Sequence, residues 1–432
     1  MSREMRHSGI EWIGEIPKGW KESKTLYVLS MPITDGPHTT PDLFDNGIPF
    51  ISADAVSDGF INFDNKRGFI SKSFYEECCK KYIPQRDDIY MIKSGASTGQ
   101  TAIVETDEIF TIWSPLAVFR ANKDIMIPRF LLYVLRSEGY QKQVENNWSY
   151  GTQQNIGMRT LEGLIVSYPT IDEQQKIANY LDKACGEVDE MIVLQEQMIE
   201  ELKAYKQSVI TEAVTKGLNP NVPMKDSGFD WIGEVPEGWK VSRLKYYSNF
   251  INGFAFNSDV FSLEIGCKVI RIGDISQSLD FDGCVRANIK TDTLQSYRIK
   301  NNDIIIAMSG ATTGKCCIAK DVEEAYINQR VGIIRCDNYS YVYYSLQTDY
   351  FMEYINLNNA GSAQPNVSGT SIGNFPLLVP SLDEQQSIAS YLDTKCSEID
   401  ALIAIKQAKI EELKEYKKSV IYEYVTGKKE II

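Results

Sequence analysis

The chain is written twice, and that limits its fold more than any other feature of the sequence. Residues 8–21 read SGIEWIGEIPKGWK and residues 227–240 read SGFDWIGEVPEGWK, identical at ten of fourteen positions. Residues 172–216, from DEQQKIANYLDKAC to SVITEAVTK, match residues 383–427 at 26 of 45 positions. A repeat of this length predicts two like-folded halves, not one large core. Between the markers the halves diverge, with faint echoes. Ser94-Gly95-Ala96-Ser97-Thr98-Gly99-Gln100 faces Ser309-Gly310-Ala311-Thr312-Thr313-Gly314-Lys315, and Gly151-Thr152-Gln153-Gln154-Asn155 faces Gly361-Ser362-Ala363-Gln364-Pro365-Asn366. Each half thus keeps an opening tag and a closing segment around a region that has changed.

The closing segments read as long helices. Each follows a proline and opens on Asp-Glu-Gln-Gln, an acidic start that suits the helix dipole. Apolar residues then recur every three or four positions. In the first copy the seam is Leu181, Val188, Ile192, Ile199, Leu202 and Val209; in the second it is Leu392, Ile399, Ile403, Ile410, Leu413 and Val420. Such spacing over several heptads is a coiled-coil seam. Polar residues interrupt it at the same layers in both copies, Gln195 with Lys406 and Lys206 with Lys417. These side chains either snorkel to solvent or fix the register of the two helices. The predicted layout is a globular domain over 1–171, a helix over 172–216, a linker over 217–225, a second domain over 226–382 and a second helix over 383–428.

The divergent regions predict an α+β (mixed α/β) fold built on short strands. Ile48–Ile51 and Lys268–Ile272 read as corresponding strands, and Asp88–Ile92 and Asp303–Ala307 as buried ones leading into the Ser-Gly-Ala loops. Phe130–Leu135 and Tyr341–Phe351 read as short helices. The four tag tryptophans, Trp12, Trp20, Trp231 and Trp239, read as packing anchors.

Composition removes several functions. No run approaches the 18 apolar residues of a membrane span, and the N-terminus lacks the apolar stretch of a signal peptide. Nine cysteines, with two adjacent pairs and no Cys-x-x-Cys, point to reduced thiols in a cytoplasm. Only His7 and His38 are histidines, which leaves little for a zinc site. The net charge of −13 argues against a protein that coats nucleic acid unaided. The helical segments hold just over half of that surplus, so each globular region is close to balance.

Catalytic motifs fail one by one. Gly310 to Lys315 has three residues between its glycines and Cys316 after the lysine, where a P-loop needs four and Ser or Thr. Asp42, Asp64 and Lys66 imitate a metal-dependent nuclease, but the second half has no counterpart. Asn219-Pro220-Asn221-Val222 only approximates the loop that holds adenine in amino-methyltransferases, and no Gly-rich cofactor loop precedes it.

With the tags Trp12–Trp20 and Trp231–Trp239, the run Pro380-Ser381-Leu382-Asp383-Glu384-Gln385-Gln386 and the run Ile199-Glu200-Glu201-Leu202-Lys203, the chain resembles the specificity subunit of type I restriction–modification systems. The resemblance spans nearly the whole chain. It implies two target-recognition domains separated by two long antiparallel coiled-coil helices, a non-catalytic subunit that reads double-stranded DNA. It also implies two methyltransferase subunits carrying S-adenosylmethionine and, in complexes that cut, two restriction subunits using ATP and Mg²⁺, all in a prokaryotic cytoplasm. Asp35-Gly36-Pro37-His38 and Asn252-Gly253-Phe254 resemble two recognition-domain subtypes. A coiled-coil scaffold that binds only protein and a free-standing DNA-modifying enzyme are the rival readings.

Residues with short or bidentate reach in loops are the candidates for base contacts. In the first half these are His38, Thr39, Thr40, Ser94, Ser97, Thr98, Gln100, Gln153, Gln154 and Asn155. In the second they are Asn257, Ser258, Ser309, Thr312, Thr313, Lys315, Gln364 and Asn366. Against this stands plain turn chemistry, because Gly, Ser and Thr build tight loops in any fold.

Overall fold

The computed structural model describes residues 3–11, 13–57, 59–150, 153–262, 264–276, 278–358 and 366–431; Trp12 and Gln364 lie outside them. The chain divides into two compact units. One runs up to Gln195 and takes in the chain from Ala408 on; the other is Glu196–Gln407. Both break inside the long helices, so each unit owns the start of one helix and the end of the other.

The helices span Ile171–Lys216 and Leu382–Val425. The second stops short of 428 because Gly427 turns the chain with φ 67°, as Gly217 does after the first with φ 75°. A Cβ on Gly427 would lie 2.8 Å from the Trp20 ring, and one on Gly217 would lie 3.2 Å from Trp239. Each helix end is therefore seated on a tag tryptophan. Trp20 and Trp239 are buried, and each belongs to its unit's core.

Within each unit the two helical stretches run antiparallel. In the first, Ile177, Leu181 and Cys185 share a core with Val420, Ile421 and Val425, and the Tyr180 and Tyr424 rings lie 4.4 Å apart. In the second, Val209, Ala213 and Val214 share a core with Ile388, Leu392 and Cys396. Leu181, Val188, Ile199, Val209, Leu392, Ile399, Ile410, Leu413 and Val420 are buried, and Ile192, Leu202 and Ile403 are half-buried. The polar layers pair as well: Lys417 lies 2.7 Å from Asp189 in one unit, and Lys206 lies 2.7 Å from Asp400 in the other. A lysine in an apolar seam is satisfied only where an acid of the facing helix stands opposite, so these pairs select one register.

The Asp-Glu-Gln-Gln openings anchor the helices to their domains. Gln174 accepts from the Ile127 amide (2.8 Å) and donates to the Ile125 and Pro169 carbonyls; Gln385 accepts from Asn338 (2.9 Å) and donates to Pro380. Glu173 pairs with Arg3 of the first tag, and Glu384 accepts from the Trp239 indole of the second. About two turns further on, Tyr133 donates to Asp182 and Tyr344 to Asp393.

The domains share one plan. In the first, an antiparallel sheet orders Thr101–Ile103, Ile89–Ile92, Leu116–Phe119 and Thr34–Asp35; in the second, Cys316–Ile318, Ile304–Ala307, Val331–Arg335 and Asn249–Asn252 take the same places. A further sheet pairs Ile48–Ile51 in parallel with Thr111–Ile112, as Cys267–Ile270 pairs with Ala325–Ile327. The tags fold as hairpins, Met5–His7 on Glu15–Pro17 and Met224–Asp226 on Glu234–Pro236. The linker's last residues are thus already strand.

Two sequence expectations need correction. The strand read over Lys268–Ile272 is Cys267–Ile270, after which Arg271 caps the 3-10 turn Ile272–Asp274. Tyr341–Phe351 is not one helix but parts of two, Tyr339–Ser345 and Asp349–Asn358. Thr348 breaks it: its hydroxyl donates to the Ser345 carbonyl at 2.8 Å and accepts from the Phe351 amide, capping the second helix.

Candidate nucleic-acid interface

The buried strand Ile89–Ile92 leads into Lys93 and then into the Ser94–Gln100 loop. Gly95 and Gly99 take φ of 103° and 96°, which only glycine adopts freely. The Thr98 hydroxyl donates to the Gly95 carbonyl at 2.7 Å and closes the turn. Across from it, Ser149–Tyr150 and Gln154–Asn155 form a hairpin. Ser94 bridges to Asn155, the Gly95 amide donates to the Gln154 carbonyl (3.0 Å) and the Ile156 amide to that of Lys93 (2.9 Å). The two loops are therefore one ledge. Gln100, Gln153 and Asn155 are exposed on it, and Ser94, Ser97, Thr98 and Gln154 are half-buried.

The segment from Asp35 to Thr40 joins this ledge through charge. Asp35 is fully buried and pairs with Lys81, with Lys93 (3.2 Å) and with His38 Nε2 (3.2 Å). Burial alone would raise the Asp35 carboxyl, but Lys81 and Lys93 outweigh it and hold it below the usual range. His38, Thr39 and Thr40 are exposed. Lys93, next to Ser94, is a residue that sequence reasoning missed; a lysine ending an apolar strand carries no signal of its own.

The second domain builds the same ledge. Ser309 bridges to Asn366, the Val367 amide donates to the Met308 carbonyl (2.9 Å), and Thr313 closes its turn on the Gly310 carbonyl at 2.7 Å. Gly310 and Gly314 take φ of 77° and 88°. Lys315 and Asn366 are exposed, Ser309 and Thr312 half-buried, and Thr313 buried. Asn257 and Ser258 sit on a different segment, at the 3-10 turn Ser258–Val260, whose Val260 and Phe261 pack on Val269, Val285 and Ala287.

Two glycines pin both domains alike. A Cβ on Gly36 would fall 2.0 Å from the Ile112 carbonyl oxygen, and one on Gly253 would fall 1.9 Å from that of Asn328. The residues the domains share are thus the ones that build the turns: Gly36 and Gly253, Gly95 and Gly310, Thr98 and Thr313, Gly99 and Gly314. Asn155 and Asn366 are exposed in both, but other positions around the ledge differ. At the surface Gln100 stands where the other domain has Lys315, and beneath it the charged Asp35 and Lys93 stand where it has Asn252 and Met308. A fixed frame with variable exposed polar tips is suited to reading different partners of one chemical kind.

Such a doubled frame on paired helices defines a two-site recognition protein. The sequence matches the family described as the type I restriction modification DNA specificity domain over residues 30–204 and again over 236–415. The chain belongs to that family. It is 26% identical over 392 residues to the type I restriction enzyme MjaVIII specificity subunit of Methanocaldococcus jannaschii, covering 88% of this chain and 85% of that one. It is 23% identical over 425 residues to the EcoKI specificity subunit of Escherichia coli, covering 90% and 86%. Among solved structures, one concerning assembly and conformational transition of the type I R-M system superposes with a TM-score of 0.71 at 17% identity, covering 95% of this chain and 98% of that one. The HsdS subunit of Thermoanaerobacter tengcongensis gives 0.51, also at 17% identity, covering 95% and 98%. These superpositions share the fold. No described helix is long and apolar enough to cross a membrane.

Proposed function

We propose that the chain is the DNA-specificity subunit of a type I restriction–modification complex, in which each domain reads one half of an asymmetric, bipartite site. The observation that carries this reading, beside the family, is the pair of ledges built to one plan with different exposed residues. The major groove is where all four base pairs differ in donors and acceptors, and Gln or Asn there suits adenine while Lys suits guanine. Half-sites on one face of B-DNA lie about 34–36 Å apart. A 46-residue helix spans roughly 69 Å, long enough to set a gap of that size by length alone. Because the ledges differ, the half-sites differ.

The chain acts as a targeting subunit with no active site of its own. S-adenosylmethionine is bound by two methyltransferase partners and, in complexes that cut, ATP and Mg²⁺ by two restriction partners, in the cytoplasm of a prokaryote. Partner cations also reconcile an acidic chain with DNA, since much of the affinity for phosphates is electrostatic. Two equal docking patches support two copies of one partner. Tyr180, Met191 and Leu194 are exposed in one unit, and their repeat counterparts Tyr391, Leu402 and Ile405 are exposed in the other. Exposed apolar residues repeated at the same positions of both helices support an interaction surface on each.

The test is the assembly itself. Co-expressed with its methyltransferase, the wild-type chain should bind two copies by native mass spectrometry and direct methylation that the chain alone does not perform. Leu194→Asp and Leu402→Asp should each reduce the complex to one copy and leave the chain's melting temperature unchanged. Two copies retained in both variants, or methyl transfer by the verified-pure chain alone, would refute the arrangement.

A further inference from the structure

We infer that Arg330 reads a guanine in the half-site taken by the second domain, with Asn366 holding its guanidinium on the ledge. This rests on the specificity reading above and adds a residue and a base to it.

Arg330 lies in the polar triplet Asn328-Gln329-Arg330, between the buried strands Ala325–Ile327 and Val331–Arg335. Its backbone is fixed: the Met308 amide donates to the Arg330 carbonyl at 2.9 Å, and Met308 is the residue before Ser309. Its side chain is exposed, and Nη1 donates to Asn366 Oδ1 at 3.0 Å. Asn366 is itself bridged to Ser309. The guanidinium is thus carried by the two segments that form the ledge, next to Lys315's loop.

A guanidinium has five N–H donors in a planar fork, and one contact to Asn366 restrains it while leaving others for a partner. Restraint matters because a side chain held beforehand loses less entropy when it binds. Guanine offers O6 and N7 in the major groove, the pair that an arginine fork matches best.

The first domain has no such group at the matching position. There the Lys93 amide donates to the Pro115 carbonyl at 2.8 Å, the same backbone bond, so Pro115 occupies Arg330's place. A proline cannot donate to a base edge. Besides Asp35 against Asn252 and Lys93 against Met308, the domains differ at two matching positions where the second alone carries a cation, Gln100 against Lys315 and Pro115 against Arg330. Both of these favour guanine in the second half-site, whereas the Lys93 side chain of the first domain is only 14% exposed and is paired with Asp35.

The experiment uses the full chain assembled with its methyltransferase. The wild-type methylated motif is mapped first, and binding is then measured on duplexes carrying every single base-pair change in that motif. Arg330→Ala and Arg330→Lys should both erase preference at one G·C position of one half-site. The loss of discrimination there should be roughly 5- to 150-fold, with the other half-site and the gap unchanged. The lysine variant keeps the charge but lacks the fork, so its failure separates base reading from charge. Equal weakening across all duplexes by the alanine variant, with a salt slope lower by about one and rescue by lysine, would overturn the inference in favour of a phosphate contact. Unchanged discrimination in both variants would overturn it too. A wild-type complex with no sequence preference at all would instead sink the specificity reading on which it rests.

Discussion

Replacing residues 22–171 with the matching region of another subunit of this family should change one half of the methylated motif and leave the other half and the gap as they were. The expected effect is complete at the exchanged half, because base contacts are local to a domain whereas spacing depends on helices that the exchange leaves in place. The boundaries fall where the structure permits the exchange. Residue 22 lies in the strand Lys21–Lys24, which pairs with Ile165–Tyr168, so both partners of that short sheet travel together apart from its first residue. The graft must still meet Gln174, Asp182 and the tag, so donors with the residues equivalent to Tyr133 and Arg129 should fold best; here Arg129 lies 3.0 Å from Asp182. Methylome sequencing of a host carrying the chimera reads the outcome. A motif altered at both halves, or only in its gap, would show that the domains do not read independently.

The second large effect concerns the helix seam. Leu392→Asp should unfold the unit formed by Glu196–Gln407 and abolish specific methylation. Leu392 is fully buried and shares its core with Val209, Ala213 and Trp239. Truncating a buried leucine costs about 2–5 kcal/mol, and a buried unpaired carboxylate adds several more. Natural domains hold only about 5–15 kcal/mol in reserve. Ala401→Asp, at an exposed position of the same helix, should change stability by no more than about 0.5 kcal/mol. Circular dichroism melting of the two variants makes the comparison. Equal melting temperatures would mean that the seam is misplaced.

The helices and their seam were legible because their signal is local and repeated. Leucines and isoleucines at heptad spacing, written twice, state a coiled coil without any tertiary knowledge. What made the register was not legible: Asp189 and Asp400 look like ordinary surface acids until Lys417 and Lys206 are seen opposite them. The Asp-Glu-Gln-Gln motif read only as an acidic helix start, whereas its Gln174 and Gln385 are buried clamps. The sheets were legible only as isolated strands of four or five residues, since their pairing joins residues far apart in sequence.

The candidate ledge was half legible. The loop echoes located Ser94–Gln100 and Ser309–Lys315, but their pairing with Asn155 and Asn366 is a tertiary fact. Thr98 and Thr313 show why residue type alone misleads: both have hydroxyls turned to their own loops. Asn257 and Ser258 were grouped with the others by polarity and sit on another segment. Lys93 and Arg330 were passed over because each borders an apolar strand, where a basic residue is commonplace.

The most direct measurement of the central claim is single-molecule methylome sequencing of a host that expresses this chain with its methyltransferase, beside the same host lacking only this chain. The account predicts methyladenine in one asymmetric motif of two unlike halves separated by an unread gap of fixed length, present only when the chain is present. A motif that persists without the chain, or a palindromic or ungapped motif in its presence, would contradict it.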